Sequence, residues 1–493
     1  MQQAREASAA WSSVPLAARL EKLAALRLLI VSRREEILLA ITQDAGKVRT
    51  EALLTDLLPT LEILRFNERQ APRILRPERR SGSLLFAGSR AEVRHHPHGA
   101  VLIVAPWNNP FQLSLLPAAT ALLAGNAVIL KPSERTPQVA ALLRELFAEA
   151  GLAPPLLEIA EGGPETAAAL VSAGPDLVFF TGGTAGGQAL YCLAAERMIP
   201  VIMELGGKDA MVVFADADLK RAGRAALYGA FAHDGRHCVS IKRLLVEQPV
   251  YEAFVSEVAS GAARLRRGNG AEGDLGAGID PATASRLQSQ IDGALERGAR
   301  LLTPARDGKA LFPAVLSEVP PDCAAMREES FGPLLAAAPF KDEKHALRLA
   351  NDSDFGLNAS LWTRDRDRAR RFAARLTTGC VCINNVLINA GHPVLPFGGV
   401  RSSGFGRYHG PEGLLAFTRP QGVLGQRHPW ASGLHWFPYD DNLAVLMENL
   451  IRLRFGAGPG LLAKSREWIK LALRMFTRLR SSGAEPGAPK DKP

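Results

Sequence analysis

The chain has 493 residues, of which 47% are apolar and 22% charged, ordinary values for a soluble globular protein; at roughly 150 residues per domain it has room for about three. Its formal charge of +9 is held unevenly. Residues 451–493 carry ten Lys/Arg against three Asp/Glu, so the main body is nearly neutral and nucleic-acid binding by it is not expected.

Five cysteines (Cys192, Cys238, Cys323, Cys380, Cys382), odd in number and without CxxC pairs, indicate neither a disulfide framework nor a metal site and fit a reducing, cytoplasmic compartment. Near the N-terminus, Glu21, Lys22, Arg27, Arg33 and Arg34 interrupt the Leu/Ala-rich stretch, and nowhere do about 18 apolar residues run together, so neither a signal peptide nor a spanning helix is expected. Residues 17–80 place apolar side chains at helical spacing (Leu23, Leu26, Leu29, Ile30; then Leu53, Leu54, Leu57, Leu58, Leu61), which predicts amphipathic helices wrapping a core built later. From residue 100, short apolar runs at 100–105, 127–130, 156–159, 177–180 and 201–203 alternate with helix-length segments, the pattern of βαβ units in a parallel sheet. A second α/β series follows, with strands predicted at 211–214, 243–246 and 334–339. The resulting division is 1–205, 206–400, 401–425 and a basic tail, 426–493.

Several candidates for chemistry fall where predicted strands end. Pro106-Trp107-Asn108-Asn109-Pro110 follows the first strand, where open α/β sheets build their sites, and Asn108 is a candidate oxyanion donor; the same residues also read as a turn that starts a helix. Lys131 and Glu134 after the second strand suit ribose hydroxyls or a phosphate, or equally a solvated helix cap. Thr181-Gly182-Gly183-Thr184-Ala185-Gly186-Gly187 joins a strand to a helix start, where free N–H groups favour a pyrophosphate, though it is not a GxGxxG fingerprint. Cys238 reads as an inert core thiol or as a nucleophile, the second requiring a base and an oxyanion donor, for which Glu204 and Asn108 are available. Adjacent residues point apart, which discounts a Cys238–His237 pair.

Taken together, Pro106-Trp107-Asn108, Lys131-Pro132-Ser133-Glu134, Phe180-Thr181-Gly182, Glu204-Leu205-Gly206-Gly207-Lys208, Cys238, Glu329-Ser330-Phe331-Gly332-Pro333 and Leu395-Pro396-Phe397-Gly398-Gly399-Val400 resemble, in order and spacing, the aldehyde dehydrogenase superfamily over about residues 15–425. The resemblance implies an α/β fold with a Rossmann-like cofactor domain, a second α/β catalytic domain and a small bridging β element (401–425 with part of 81–98) that pairs subunits into a homodimer or larger oligomer. It implies NAD or NADP as cofactor and oxidation of an aldehyde to a carboxylic acid through a cysteine thiohemiacetal and thioester. The nucleophile falls on Cys238, the general base on Glu204 and the oxyanion amide on Asn108. The cofactor contacts fall on Pro106, Trp107, Lys131, Glu134, Thr181, Gly182, Gly183, Gly186, Glu329 and Phe331.

Two departures stand out: Gly183 where the family usually has serine, and Arg236 where it usually has glutamine, the latter either lowering the Cys238 pKa or pointing to solvent. The run Val400–Gly410 resembles the branch acting on fatty and aromatic aldehydes and points to an apolar substrate. In the tail, residues 461–480 put Leu461, Trp468, Ile469, Ala472, Met475, Phe476 and Leu479 on one stripe opposite basic residues, a segment suited to an anionic membrane surface or to packing on the protein itself. A second helix is predicted over 443–455, and 481–493 is expected to be disordered. A catalytically impaired scaffold protein and a cofactor-independent thioester hydrolase remain as alternative functions.

Overall fold

A computed structural model describes residues 1–81, 89–268, 273–306, 309–310, 312–426, 436–437, 439, 441–456, 468–475 and 477. Two parallel sheets organise the larger unit, Met1–Arg76 with His95–Gln421. The first runs in the order Val201–Glu204, Leu177–Thr181, Ala100–Val104, Ala127–Lys131, Leu157–Ile159, with the short strand Gly404–Phe405 antiparallel beside Val201–Glu204. The chain winds outward in both directions from Ala100–Val104. The gap between that strand and Leu177–Thr181 is therefore the topological switch point, where open α/β sheets bind ligands beyond the strands' carboxyl ends.

The second sheet runs Arg300–Leu301, Ala314–Ser317, Leu334–Phe340, Ile241–Glu247, Asp209–Val213, Asn358–Trp362, Cys380–Ile383, parallel except at its first edge strand. Residues of Ala100–Val104, Leu177–Thr181 and Asp209–Val213 are buried throughout, as expected of strands covered by helices on both faces. Every predicted strand has a counterpart within three residues. Ala314–Ser317, Asn358–Trp362 and Cys380–Ile383 had not been singled out: each is only four or five residues long and lies in sequence that mixes Ala, Ser and Cys with larger groups.

Leu16–Ser32 and Arg34–Ala45 bury Leu23, Leu26, Ile30, Ile37 and Ile41 against Pro110–Leu123, a helix buried all round. The next predicted helix is broken in two by a π-helical turn, Leu53–Leu57, before Leu58–Ile74. Only part of its leucine stripe joins the core: Leu57 is buried, whereas Leu54 and Leu58 are both 51% exposed, contrary to the expectation that the stripe covers the core.

In the segment 401–425, Gly404–Phe405 extends the first sheet and Gly410–Ala416 is helical. Only Thr418–Gln426 joins the three-stranded sheet with Glu78–Arg80 and Ser89–Pro97. The smaller unit comprises Pro77–Arg94 and Gly422–Pro493. Its helix Asp441–Phe455, predicted over 443–455, packs Leu446 and Leu450 against Leu471, Trp468 and Met475. The apolar stripe of the second tail helix is thus shifted: Leu471 is its most buried member, and Ile469 is 61% exposed. The rest of the predicted helix 461–480, and 481–493, lie outside the described residues. Among the described residues no helix is long and apolar enough to cross a membrane, and no cluster of His, Cys, Asp and Glu could hold a metal ion.

Candidate active site

The chain passes from the first sheet to the second through Leu205-Gly206-Gly207-Lys208. A Cβ at Gly207 would lie 2.5 Å from the Cys238 carbonyl oxygen, so only glycine lets the two backbones meet there, and one at Gly206 would lie 2.1 Å from the Glu329 carboxylate and push that side chain away. The crossing is tied on both sides. Ser403 donates its hydroxyl to the Gly206 carbonyl (2.7 Å), and Lys208 donates to Ser330 (2.7 Å), which donates to Gln290 (2.9 Å).

Cys238 lies in the turn before Ile241–Glu247, its Sγ 3.9 Å from Oε2 of Glu204 at the end of Val201–Glu204. Burial pushes the Glu204 carboxyl up to about 8, with Asp209 adding to the rise and the hydrogen bond from Cys238 opposing it. Burial, then Glu204, Asp209 and Glu329, raise the Cys238 thiol well above its ordinary range. Both groups hold their protons at neutral pH in the isolated protein. Asn108 is buried nearby and donates its amide to the Arg236 carbonyl (2.9 Å).

Two cavities meet at Cys238. The first, about 300 Å³, lies at the switch point and brings together Pro106, Trp107, Asn108, Thr181, Gly182, Gly183, Glu204, Cys238, Glu329 and Phe331. Lys131, Glu134 and Gly186 do not line it. Lys131 stands beside it at the register position opposite Val104, with Nζ 3.0 Å from Glu134, and Gly186 lies within the helix Thr184–Ala195. A residue that sequence reasoning missed, Arg286, also lines this cavity and donates to the Glu329 carbonyl (3.0 Å). Nothing in the sequence sets it apart from other helix-surface arginines.

A nicotinamide dinucleotide suits this first cavity. Thr181 Oγ1 and Glu204 Oε1 are buried there without protein partners, and Thr184–Ala195 opens at Gly183 with no side-chain cap, leaving helix N–H groups for a phosphate. A side chain at Gly183 would meet nothing within 4 Å, so the missing hydroxyl leaves open space. The second cavity, about 410 Å³, has apolar inner walls from Leu113, Val239, Val386, Leu387, Phe397 and Tyr408, with Cys238 and His237 at one end.

Arg236 neither reaches solvent nor faces the thiol. It is 8% exposed, donates to the carbonyls of His233 (3.1 Å) and Ala45 (3.3 Å), and lies 5.3 Å from the ring centre of Trp107, with Arg135 at 3.8 Å. Both alternatives drawn from sequence are thereby replaced by a structural one: Arg236 ties down the loop before the nucleophile. That loop needs tying, because His233 and Asp234 adopt left-handed φ of 51° and 53° before Gly235 at 65°. Asp234 is held by Arg267 (2.6 Å), and Lys242 clamps the Gly235 carbonyl (2.8 Å) to that of Gly332 (2.6 Å).

Behind the second cavity runs a buried polar chain that sequence reasoning also missed. Lys47 and Asp56, both with wholly buried side chains, form an ion pair at 2.5 Å; Lys47 also donates to Asn109, whose amide meets Nδ1 of His237 at 3.3 Å.

Comparison with known proteins identifies the family of the chain. The aldehyde dehydrogenase family model matches residues 1–423. A 4,4'-diapolycopene aldehyde oxidase from Methylomonas sp. is 46% identical over 437 residues, 88% of this chain and 82% of that protein. Among solved structures, an aldehyde dehydrogenase from Mycobacterium tuberculosis complexed with NAD+ superposes with a TM-score of 0.78 at 31% identity, covering 84% of this chain and 86% of its own. An NAD-dependent aldehyde dehydrogenase from Sinorhizobium meliloti gives 0.80 at 31%, covering 87% of each chain.

The buried pair yields a prediction about stability. Lys47→Met leaves Asp56 unpaired at zero exposure, and unfolding in denaturant should show a loss of about 3–5 kcal/mol; a loss below about 1 kcal/mol would mean that the pair does not bear on the fold.

Proposed function

This chain belongs to the aldehyde dehydrogenase family, whose members oxidise aldehydes to carboxylic acids with NAD or NADP, and on that premise we propose that Cys238, Glu204 and Asn108 carry out this reaction on a long apolar aldehyde. The observation that carries the assignment is the position of Cys238 where a cavity suited to a dinucleotide meets an apolar one, with Glu204 at 3.9 Å.

In this reading Cys238 gives up its proton to water and, as the thiolate, attacks the aldehyde carbon, forming a C–S bond as the carbonyl π pair moves onto oxygen. The Asn108 amide, turned from the Arg236 carbonyl, and the Cys238 backbone N–H hold that oxygen. Bound in the first cavity, the oxidised dinucleotide supplies a hydride acceptor and a positive ring beside two groups that burial keeps protonated. Loss of hydride from the former aldehyde carbon leaves a thioester on Cys238. Glu204, as carboxylate, takes a proton from water as the water oxygen adds to the thioester, and collapse expels the thiolate and the acid.

Support for an apolar substrate comes from the second cavity: among its described lining residues none is Lys or Arg, so no fixed cation there would pair with a second carboxylate. The relative named for a diapolycopene aldehyde favours the same class. Glu134, 3.0 Å from Lys131, would also stand against a 2′-phosphate on the cofactor, which favours NAD. Homodimer or higher assembly and contact of the tail with an anionic membrane are retained as proposals; the former rests on the family resemblance, and the basic charge of residues 451–493 supports the latter.

Four outcomes are expected. Purified protein with NAD and aliphatic aldehydes should show rising absorbance at the reduced-nicotinamide band and Cys238→Ala none; equal rates in the two would remove Cys238 from the reaction. Because burial raises Glu204 to about 8 and the thiol well above its ordinary range in the free protein, kcat/KM should climb with pH through about 8. Glu204→Gln should release about one equivalent of reduced cofactor and then stall, and steady turnover in this variant would rule out its role in deacylation. Gly183→Ser should fold normally and lower the Kd for NAD about fivefold, the value of one added hydrogen bond; calorimetry showing no change would place the phosphate elsewhere.

A further inference from the structure

At its outer end the second cavity opens through Leu54, Leu58, Tyr228 and Ile388, which are 51, 51, 47 and 62% exposed. They come from three separate parts of the chain: the π-helical turn with the start of Leu58–Ile74, the helix Leu219–Phe231, and the turn Ile388–Gly391. Single exposed leucines need no explanation, but large apolar side chains converging from three segments on one opening mark a binding groove.

The groove is held from behind. Leu54 and Leu58, four residues apart, share a helix face, and between them Asp56 points the other way into the buried pair with Lys47, accepting also from the Gln112 N–H (3.2 Å). Thr60 donates its hydroxyl to the Asp56 carbonyl (2.6 Å). The π-helical turn is thus fixed by buried polar contacts while its leucines stand in water, an arrangement common where a helix serves a site. Val386 and Phe397 line the same cavity as Cys238 and this rim.

Resting on the reading that Cys238 oxidises an apolar aldehyde, we propose that Leu54, Leu58, Tyr228 and Ile388 form an outer subsite. Forming the outer end of the 410 Å³ cavity, it holds the distal hydrocarbon of a long aldehyde whose carbonyl lies at Cys238, so that preference for long chains is set at the mouth rather than beside the thiol. Glu62, on the same lining, turns away a chain that ends in a carboxylate.

The test is the triple variant Leu54→Ser, Leu58→Ser, Ile388→Ser in the full chain, assayed with NAD and butanal, octanal and hexadecanal. In the unmodified protein kcat/KM should rise with chain length, and in the variant the hexadecanal-to-butanal ratio should fall about tenfold or more, the discrimination that apolar contacts provide. A ratio that stays within twofold overturns the proposal, and a change in sedimentation with an unmoved ratio assigns the rim to contact between copies of the chain instead. Calorimetric binding of hexadecanoate against octanoate reads the same subsite without turnover. If no aldehyde is oxidised but hexadecanoate binding still weakens selectively in the variant, the subsite stands and the oxidation reading falls; if binding does not change either, the subsite falls with it.

Discussion

The structure depends on how closely the backbone at Gly206 and Gly207 approaches Glu329 and Cys238. Any Cβ at either position would meet an acid or a carbonyl at 2.5 Å or less, well inside contact distance. That approach lets the chain cross from one parallel sheet to the other while the ends of both feed a single site. From the first sheet come Thr181 and Glu204, adjacent in register; from the loop before Ile241–Glu247 in the second comes Cys238. Ser403 and Lys208 then fasten the crossing to segments almost two hundred and about one hundred and twenty residues away in sequence.

Crowding has an electrostatic consequence. Glu204 is fully buried and Cys238 half-buried among other acids; Glu204 makes the loss of the Cys238 proton harder, while the hydrogen bond from the thiol only partly offsets what burial and Asp209 do to Glu204. In an open, solvated site a carboxylate 3.9 Å from a thiol would be an ordinary base. Here its basicity is raised toward the pH at which it must act, which is the direction general-base catalysis needs. The same dryness leaves Thr181 Oγ1 and Glu204 Oε1 without partners, a cost that a bound molecule can relieve.

The parts legible in sequence were those written as local pattern. Alternating apolar runs gave the strands of the first sheet, because strands buried on both faces read as continuous hydrophobic stretches, and strand-to-helix turns marked residues that do converge on one cavity. Lys47 and Asp56 were invisible for the opposite reason: nine residues apart on helical sequence, they look like a solvated pair, and only packing against Pro110–Leu123 takes them out of water. Leu54 and Leu58 misled in the same way, since periodicity shows that a face is apolar but not what covers it. In the tail, Trp468 and Met475 of the predicted stripe do pack on Leu446 and Leu450, but Leu471, which was not on it, is the most buried member and Ile469, which was, is exposed.

Arg236 shows how a departure from a family pattern can act without touching the chemistry. A cation two residues before a half-buried thiol looks, from sequence, like a way to stabilise the thiolate. Its guanidinium instead bonds the His233 and Ala45 carbonyls and stacks near Trp107, bracing a loop in which two residues other than glycine hold left-handed conformations, each at about 1–3 kcal/mol. Such strain persists only where neighbours over-determine it, and Arg267, Lys242 and Arg236 do so from three sides. The substitution therefore bears on where the Cys238 turn is held, and the Cys238 pKa is left to burial and the acids around it.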